Sequence, residues 1–260
     1  MTVTLTFHDL HHGDAPLLLP NAWDVASALA FVEAGFPAVG TTSFGVAAAA
    51  GRPDAGRGTR EANLVLARAL SRLPVHVSVD IEDGYDDDPL NVAEFVADLG
   101  VAGVNIEDST AEQLVVPGAH AAKVAAIKRH VPDVFVNARV DTYWLGQDAT
   151  VAATLTRARA YVDAGADGVF VPGVTDPAEI RALADDIAVP VNVLVVPGRS
   201  LDELAALGVR RVSTGSLPYR AAITAAVRVA TAVRDAGAVP EAAPYPEMQE
   251  RLVRYAGQNG

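Results

Sequence analysis

Cysteine is absent from all 260 residues, which excludes disulfides, thiolate zinc sites and cysteine catalysis. Lysine occurs only as Lys123 and Lys128, both inside one helical stretch, so Schiff-base chemistry from a pocket lysine is not expected. Positive charge is scarce: 20 Lys and Arg face 32 Asp and Glu, for a net charge of −12. A polyphosphate backbone would be repelled, so nucleic acid is not an expected partner. A small anionic substrate stays compatible, because a local Arg and a metal outweigh the global field. No apolar run reaches the roughly 18 residues that span a bilayer; Arg228 and Arg234 interrupt the Ala/Val-rich stretch at 221–239. Membrane association is therefore not expected. The N-terminus lacks the basic-then-apolar layout of a signal peptide, which makes the cytoplasm the default location. There is no Gly-x-Ser-x-Gly, no His-Glu-x-x-His and no P-loop.

What is present is a regular punctuation. A proline precedes an apolar strand at Pro16, Pro74, Pro132 and Pro190, and a glycine stops a helix before a strand at Gly35, Gly100, Gly165 and Gly208. The two kinds alternate, as helix breaker and helix stop should. Together they mark eight strands. Helical stretches are expected at 22–34, 60–72, 90–99, 119–130, 150–164, 177–186, 201–207 and 218–236. The strands are mostly unbroken apolar runs, as in a parallel sheet covered on both faces. Eight β-α units in one chain of this length predict a single (β/α)8 TIM-type barrel spanning 1–260, with active-site groups at the C-terminal strand ends. A doubly wound sheet would want a glycine-rich turn after the first strand; Pro20-Asn21-Ala22-Trp23-Asp24 is not one. Residues 237–260 read as a C-terminal extension, a proline-rich connection to a short helix at 247–255 that packs on a neighbouring subunit.

Two strand ends concentrate carboxylates: Val77-Ser78-Val79-Asp80-Ile81-Glu82-Asp83-Gly84 and Val104-Asn105-Ile106-Glu107-Asp108. Alternate strand residues share a face, so Asp80 and Glu82 are expected to point the same way. Three acids at one sheet edge repel one another unless a cation sits among them, and oxygen-only ligands suit Mg²⁺, with Mn²⁺ as the other fit. Strand 5 adds Asn137 and Arg139, strand 7 adds Asn192, and the second strand ends at Thr41-Thr42-Ser43-Phe44-Gly45 before a loop with Asp54. Backbone N–H groups of Ser43, Phe44 and Gly45 could hold a carboxylate, the glycine allowing close approach. Arg139 beside the acids fits an α-keto or α-hydroxy carboxylate.

Other features read as structural. Asp88 before Pro89 fits an N-cap with proline at N1, and Asp86 and Asp87 go with it. Asp83-Gly84 reads as a turn, and Asp24 as a cap for the first helix. His8, His11 and His12 read as a solvated segment. Gly56-Arg57-Gly58-Thr59-Arg60-Glu61 lacks the third glycine and the preceding strand of a dinucleotide loop.

Taken together, Pro20-Asn21-Ala22-Trp23-Asp24, Thr42-Ser43-Phe44-Gly45-Val46, Pro53-Asp54, Asp80-Ile81-Glu82-Asp83-Gly84-Tyr85, Asn105-Ile106-Glu107-Asp108, Asn137-Ala138-Arg139 and Val191-Asn192 resemble the isocitrate lyase/phosphoenolpyruvate mutase superfamily, in register over roughly 15–235. The resemblance implies a Mg²⁺-dependent barrel enzyme that works on small 2-oxo- or 2-hydroxy-carboxylates through a pyruvate enolate-like intermediate. It implies Asp80 as direct metal ligand, with Asp54, Glu82 and Glu107 holding the metal mainly through water. It implies Ser43, Phe44 and Gly45 as substrate cradle, Arg139 at the other end, Trp23 and Asn192 at the pocket, and a homotetramer that exchanges its last barrel helix.

The departures lie elsewhere. The Lys-Lys-Cys-Gly-His loop of the lyase branches has no counterpart. Residues 109–120 carry neither the Lys nor the Asn-Ser pair of the phosphonate mutases, and Val171-Pro172-Gly173 replaces the strand-6 His or Glu. The reading is a Mg²⁺-dependent carbon–carbon lyase with Arg139 and Asp54 as catalytic residues. The alternatives are carbon–phosphorus chemistry, as phosphonomutase or phosphonopyruvate hydrolase, and a non-catalytic carboxylate-binding barrel. Tyr85, His120 and Glu112, in loops able to close, are the candidates for the general acid/base.

Overall fold

In the computed structural model, which describes residues 5–257, nine parallel strand segments form one sheet rolled into a barrel. The segments are β1 (Leu17–Leu19), β2 (Asn21–Ala22), β3 (Ala38–Thr41), β4 (His76–Asp80), β5 (Gly103–Glu107), β8 (Phe135–Arg139), β9 (Gly168–Phe170), β10 (Val191–Leu194) and β11 (Val209–Ser213). A two-stranded hairpin, β6 (Ser109–Thr110) with β7 (Gln113–Leu114), stands apart from it. Nine segments are eight strands, because β1 and β2 are one strand interrupted at Pro20. Proline has no N–H for the ladder. β1 therefore pairs with β11 and β2 with β3, and the Pro20 carbonyl accepts from Gly40 N–H at 2.8 Å. The first strand thus bridges the sheet's two edges.

The helices are α1 (Val25–Glu33), α2 (Ser43–Ala49), α3 (Arg60–Leu70), α4 (Pro89–Leu99), α5 (Pro117–His130), α6 (Thr142–Leu145), α7 (Val151–Asp163), α8 (Pro177–Asp186), α9 (Leu201–Ala206), α10 (Leu217–Arg234) and α11 (Tyr245–Gly257). The sequence expectations hold for eight barrel helices and the C-terminal one within a few residues. Asp24 caps α1 in a reciprocal capping box with Ser27, and Asp88 caps α4 ahead of Pro89. Both lysines lie in α5. α2, α6 and the hairpin are not visible in the punctuation.

The outward face of the strands packs on the helices through one large apolar cluster that includes Val79, Val104, Ile106, Val136 and Val193. The barrel floor is closed by Phe7, Leu17, Leu19, Ala38 and Phe135. Gly103 is required there, since a Cβ would meet the Phe7 ring at 2.5 Å. The expectation of a solvated histidine segment fails for His11. It is buried, stacked on Phe135 at 4.0 Å, and bonded through Nδ1 to the Phe7 carbonyl. Burial holds its pKa down at about 3, so it serves as a flat neutral ring in the floor.

α10 has no buried residue and leaves Ile223, Val227 and Val233 exposed. α11 turns back onto the same chain. Tyr255 Oη donates to the Ala69 carbonyl at 3.0 Å, and Arg251 pairs with Glu33.

Candidate active site

A cavity of about 600 Å³ opens at the C-terminal ends of the strands. The barrel interior beneath it is built in layers by the two-residue strand period. One layer down, Asn137 Nδ2 donates to Asn105 Oδ1 at 2.8 Å, Asn192 Nδ2 donates to Ser213 Oγ at 3.0 Å, and the buried Arg211 guanidinium donates to Asn105 and Ser213. Each strand's next inward residue forms the upper layer: Asp80, Glu107 and Arg139 all line the cavity. Register fixes their neighbours, since Asp80 aligns with Asn105 and Glu107 with Arg139.

Asp80 is the best-placed acid. Its backbone N–H donates to Thr41 Oγ1 at 2.9 Å, its Oδ2 accepts from Ser43 N–H at 3.1 Å, and its Oδ1 is buried with no hydrogen-bond partner. An unpaired buried carboxylate oxygen is costly. Burial is the main cause that pushes the Asp80 carboxyl above the usual range; Arg139 pulls it down, and Asp54 adds to the rise. Glu107 is raised by burial and by Asp141, Asp80 and Asp54, against the pull of Arg139. Glu82 is raised chiefly by burial. Six acids line the cavity, Asp54, Asp80, Glu82, Asp83, Glu107 and Glu112, against three arginines, Arg57, Arg139 and Arg220, and the site is short of positive charge.

Arg139 is shared among acids. Its Nη1 donates to Glu107 Oε1 and its Nε to Asp141 Oδ1, each at 2.5 Å, and its guanidinium stacks over Trp144 and Phe170. These contacts fix its plane with Nη2 free of any such bond among the described residues.

The acids arrive by different routes from the expected one. β4 ends at Asp80, and Glu82 has φ +49°, so strand alternation does not carry it to the cavity. It reaches the rim through a left-handed turn, held by Thr59 Oγ1 and by Arg57 N–H at 2.8 Å. Asp54 stands on the loop before α3 and also lines the cavity. Among the described residues no three His, Asp or Glu side chains converge closely enough to bind one ion directly. Glu107 is taken by Arg139 and Glu82 by Thr59 and Arg57, whereas Asp80 Oδ1 is a buried carboxylate oxygen without a partner.

Ser43 and Phe44 line the cavity, but they open α2 rather than end a strand. The Gly45 N–H is drawn to the cap Thr42 Oγ1 at 3.5 Å. A Cβ at Gly45 would meet Trp23 Cβ at 2.9 Å, so the glycine serves packing against Trp23. Trp23, Gly45 and Asn192 stand outside the cavity lining. Asn192 lies a layer down because the rim of β10 is formed by Leu194 and Val195.

Of the three acid/base candidates, only Glu112 lines the cavity, at the tip of the β6–β7 hairpin. Tyr85 is buried, bonded to Thr59 and Asn63, and its phenol is raised well above its ordinary value by burial. His120 is buried against Tyr161 and held neutral by burial, with its pKa down at about 3.

Ser109, Trp144, Phe170 and Arg220 also line the cavity and were not singled out in the sequence, whereas Asn21 and Thr41 line it from the strand ends read there. Asn21 Oδ1 accepts from Gly215 N–H at 2.9 Å and its Nδ2 donates to the Thr41 carbonyl at 2.6 Å, which ties the two sides of the split strand. Arg220 bonds Ser216 and has no acidic partner among the described residues.

A family model described as phosphoenolpyruvate phosphomutase matches residues 7–234. An uncharacterized protein of Mycobacterium tuberculosis is 57% identical over 251 residues, 96% of this chain and 97% of that one. The 2-methylisocitrate lyase of Bacillus subtilis is 31% identical over 230 residues, covering 82% of this chain and 75% of the lyase. Among solved structures, a phosphonopyruvate hydrolase complex with oxalate and Mg²⁺ superposes with a TM-score of 0.83 at 25% identity, over 100% of this chain and 99% of that one.

Proposed function

The chain belongs to the phosphoenolpyruvate phosphomutase family, within the phosphoenolpyruvate mutase/isocitrate lyase superfamily of lyases and mutases, and from that premise we propose that it is a Mg²⁺-dependent carbon–carbon lyase. Its substrate would be a small 2-hydroxy- or 2-oxo-carboxylate, and its product a pyruvate-like acid. The observation that carries this reading is Asp80. A buried carboxylate with one unpartnered oxygen, in a pocket short of positive charge, fits a hard divalent cation. The donor set fits Mg²⁺ with one direct carboxylate and several waters, because Asp54, Glu82 and Glu107 stand around Asp80 without converging on it. When bound, the ion would supply Lewis-acid stabilisation of negative charge on the substrate oxygen.

The chain's own residues supply the rest. Arg139 Nη2 binds the substrate carboxylate, with the guanidinium plane preset by Glu107, Asp141 and Trp144. Ser43 N–H fixes the Asp80 carboxylate through its bond to Oδ2, and the first-turn N–H of Phe44 helps hold the other end. Glu112, at the tip of the β6–β7 hairpin in the cavity lining, moves the proton. The B. subtilis relative, a lyase by name, supports carbon–carbon chemistry, and the oxalate and Mg²⁺ of the phosphonopyruvate hydrolase complex support the cation and the two-carbon acid core. The unpartnered apolar stripe of α10 fits a second copy of the chain, and we propose a homo-oligomer on that ground.

The test is pyruvate release from 2-methylisocitrate, dimethylmalate, oxaloacetate and phosphonopyruvate, with Mg²⁺ and with EDTA. Mg²⁺-dependent release from a carbon–carbon substrate, lost in Asp80→Ala, is expected. Release from phosphonopyruvate alone would move the assignment to carbon–phosphorus chemistry, and release from none would sink the lyase reading for these substrates.

A further inference from the structure

Asp83, which reads in the sequence as an ordinary turn residue, is the meeting point of three loops. Its carboxylate accepts from Arg57 Nε at 3.0 and 2.9 Å, from Arg57 Nη2 at 2.5 Å and from Thr110 Oγ1 at 2.6 Å. Its backbone carbonyl accepts from the buried Lys123 Nζ at 2.8 Å. Arg57 also bonds Asp87 through Nη2 at 2.5 Å, while its backbone N–H donates to Glu82 Oε2 at 2.8 Å. The loops so joined are 51–59, which carries Asp54, 82–88, which carries Glu82, and the β6–β7 hairpin, which carries Glu112.

These same loops hold the backbone strain. Eight non-glycine described residues have positive φ, and six of them are Ala55, Arg57, Glu82, Tyr85, Ala111 and Glu112. Such conformations persist only where surrounding contacts over-determine them. Loop 51–59 has few others. Apart from Thr59, its residues are partly or largely exposed, and Arg52 only closes the loop on itself through the Gly58 carbonyl. The bidentate pair of the partly exposed Arg57 with the buried Asp83 is the strong side-chain ion pair across the gap.

We infer that Arg57 is a positioning residue: its pair with Asp83 latches the 51–59 loop, and Asp54 with it, over the cavity. The latch stands on this geometry alone. Its effect on a cation rests on the Mg²⁺ reading above.

The test is amide hydrogen exchange on the full chain, with Arg57→Gln, Asp83→Asn, the double variant, and Arg57→Lys. Arg57→Gln is expected to speed exchange in 51–59 about tenfold, with β4 and β5 amides unchanged. Asp83→Asn is expected to match it, the double variant to be no faster than either single one, and Arg57→Lys, which keeps charge but loses the fork, to fall between. Acceleration below about threefold in 51–59, or equal acceleration in the barrel strands, would overturn the latch. Mg²⁺ titration separates the two readings. Weaker Mg²⁺ binding by Arg57→Gln at unchanged melting temperature ties the latch to Asp54. Unchanged Mg²⁺ affinity would overturn that tie, and a wild type that binds no Mg²⁺ would overturn the cation reading while the exchange result still decides the latch.

Discussion

The two walls of the cavity are built on opposite principles. On the β3–β5 side stand Asp54, Asp80, Glu82 and Glu107; on the β9–β11 side stand Phe170, Pro172, Leu194, Val195, Pro197 and Leu217. The acid wall is tied by short polar contacts and strained loops. The apolar wall offers shape, edged by Ser213, Thr214 and Ser216, and Arg220 at the start of α10 is a cation there with no acidic partner among the described residues. The difference teaches where chemistry and selectivity separate. Charge that must be held still is placed on strand ends, as Asp80 and Glu107 are, or on loops tied down by polar contacts, as Glu82 is, whereas the part of a substrate that varies meets side chains that can be exchanged at small cost.

The comparison breaks most completely at Asp80. Asp80→Ala is expected to remove both Mg²⁺ binding and pyruvate release, a loss of about 10³-fold or more in kcat/KM, read by steady-state kinetics. Arg139→Met is next. It leaves Glu107 and Asp141 buried without their counter-charge, so a loss of about 3–5 kcal/mol in unfolding free energy by denaturant titration is expected, together with loss of oxalate binding. Glu112→Gln should lower kcat by about 10²-fold while leaving oxalate affinity nearly unchanged, since it touches only proton transfer.

A pH series sharpens the charge side of the comparison. Asp80, Glu82 and Glu107 all have carboxyls raised above their ordinary values by burial. A carboxyl that binds its proton more tightly folded than unfolded lowers stability as pH rises from the unfolded value, roughly 4, through the raised folded value. On the proposed reading, Mg²⁺ would replace those protons. The rise in melting temperature on adding Mg²⁺ is therefore expected to be small in mild acid and to grow as pH rises through the folded values. On the other wall, Val195→Ala and Leu194→Ala should alter KM for substrates that differ in their apolar substituent by a few-fold, with Mg²⁺ affinity unchanged.

Much of this architecture was legible in the sequence. The alternation of Pro16, Gly35, Pro74, Gly100, Pro132, Gly165, Pro190 and Gly208 gives eight strands because helix stops and breakers act locally. Asp80, Glu107 and Arg139 were legible because each ends an apolar run. What escaped depends on contacts distant in sequence. Glu82 was placed by strand alternation, yet the strand had already ended and a left-handed residue carries it. The β6–β7 hairpin and α2 are too short for periodicity to show. Asp83 looked like a turn because its partners, Arg57 and Thr110, lie 26 and 27 residues away. His120 was read in a loop able to close, yet it lies in the first turn of α5, buried against Tyr161 of α7.

The central claim is that Asp80 anchors a divalent cation at the acid wall. Calorimetric titration of Mg²⁺ into EDTA-stripped protein, wild type beside Asp80→Asn, tests it most directly. One saturable site in the wild type, absent in Asp80→Asn at similar melting temperature, is the predicted result. Equal Mg²⁺ binding by both, or none by the folded wild type, would contradict it.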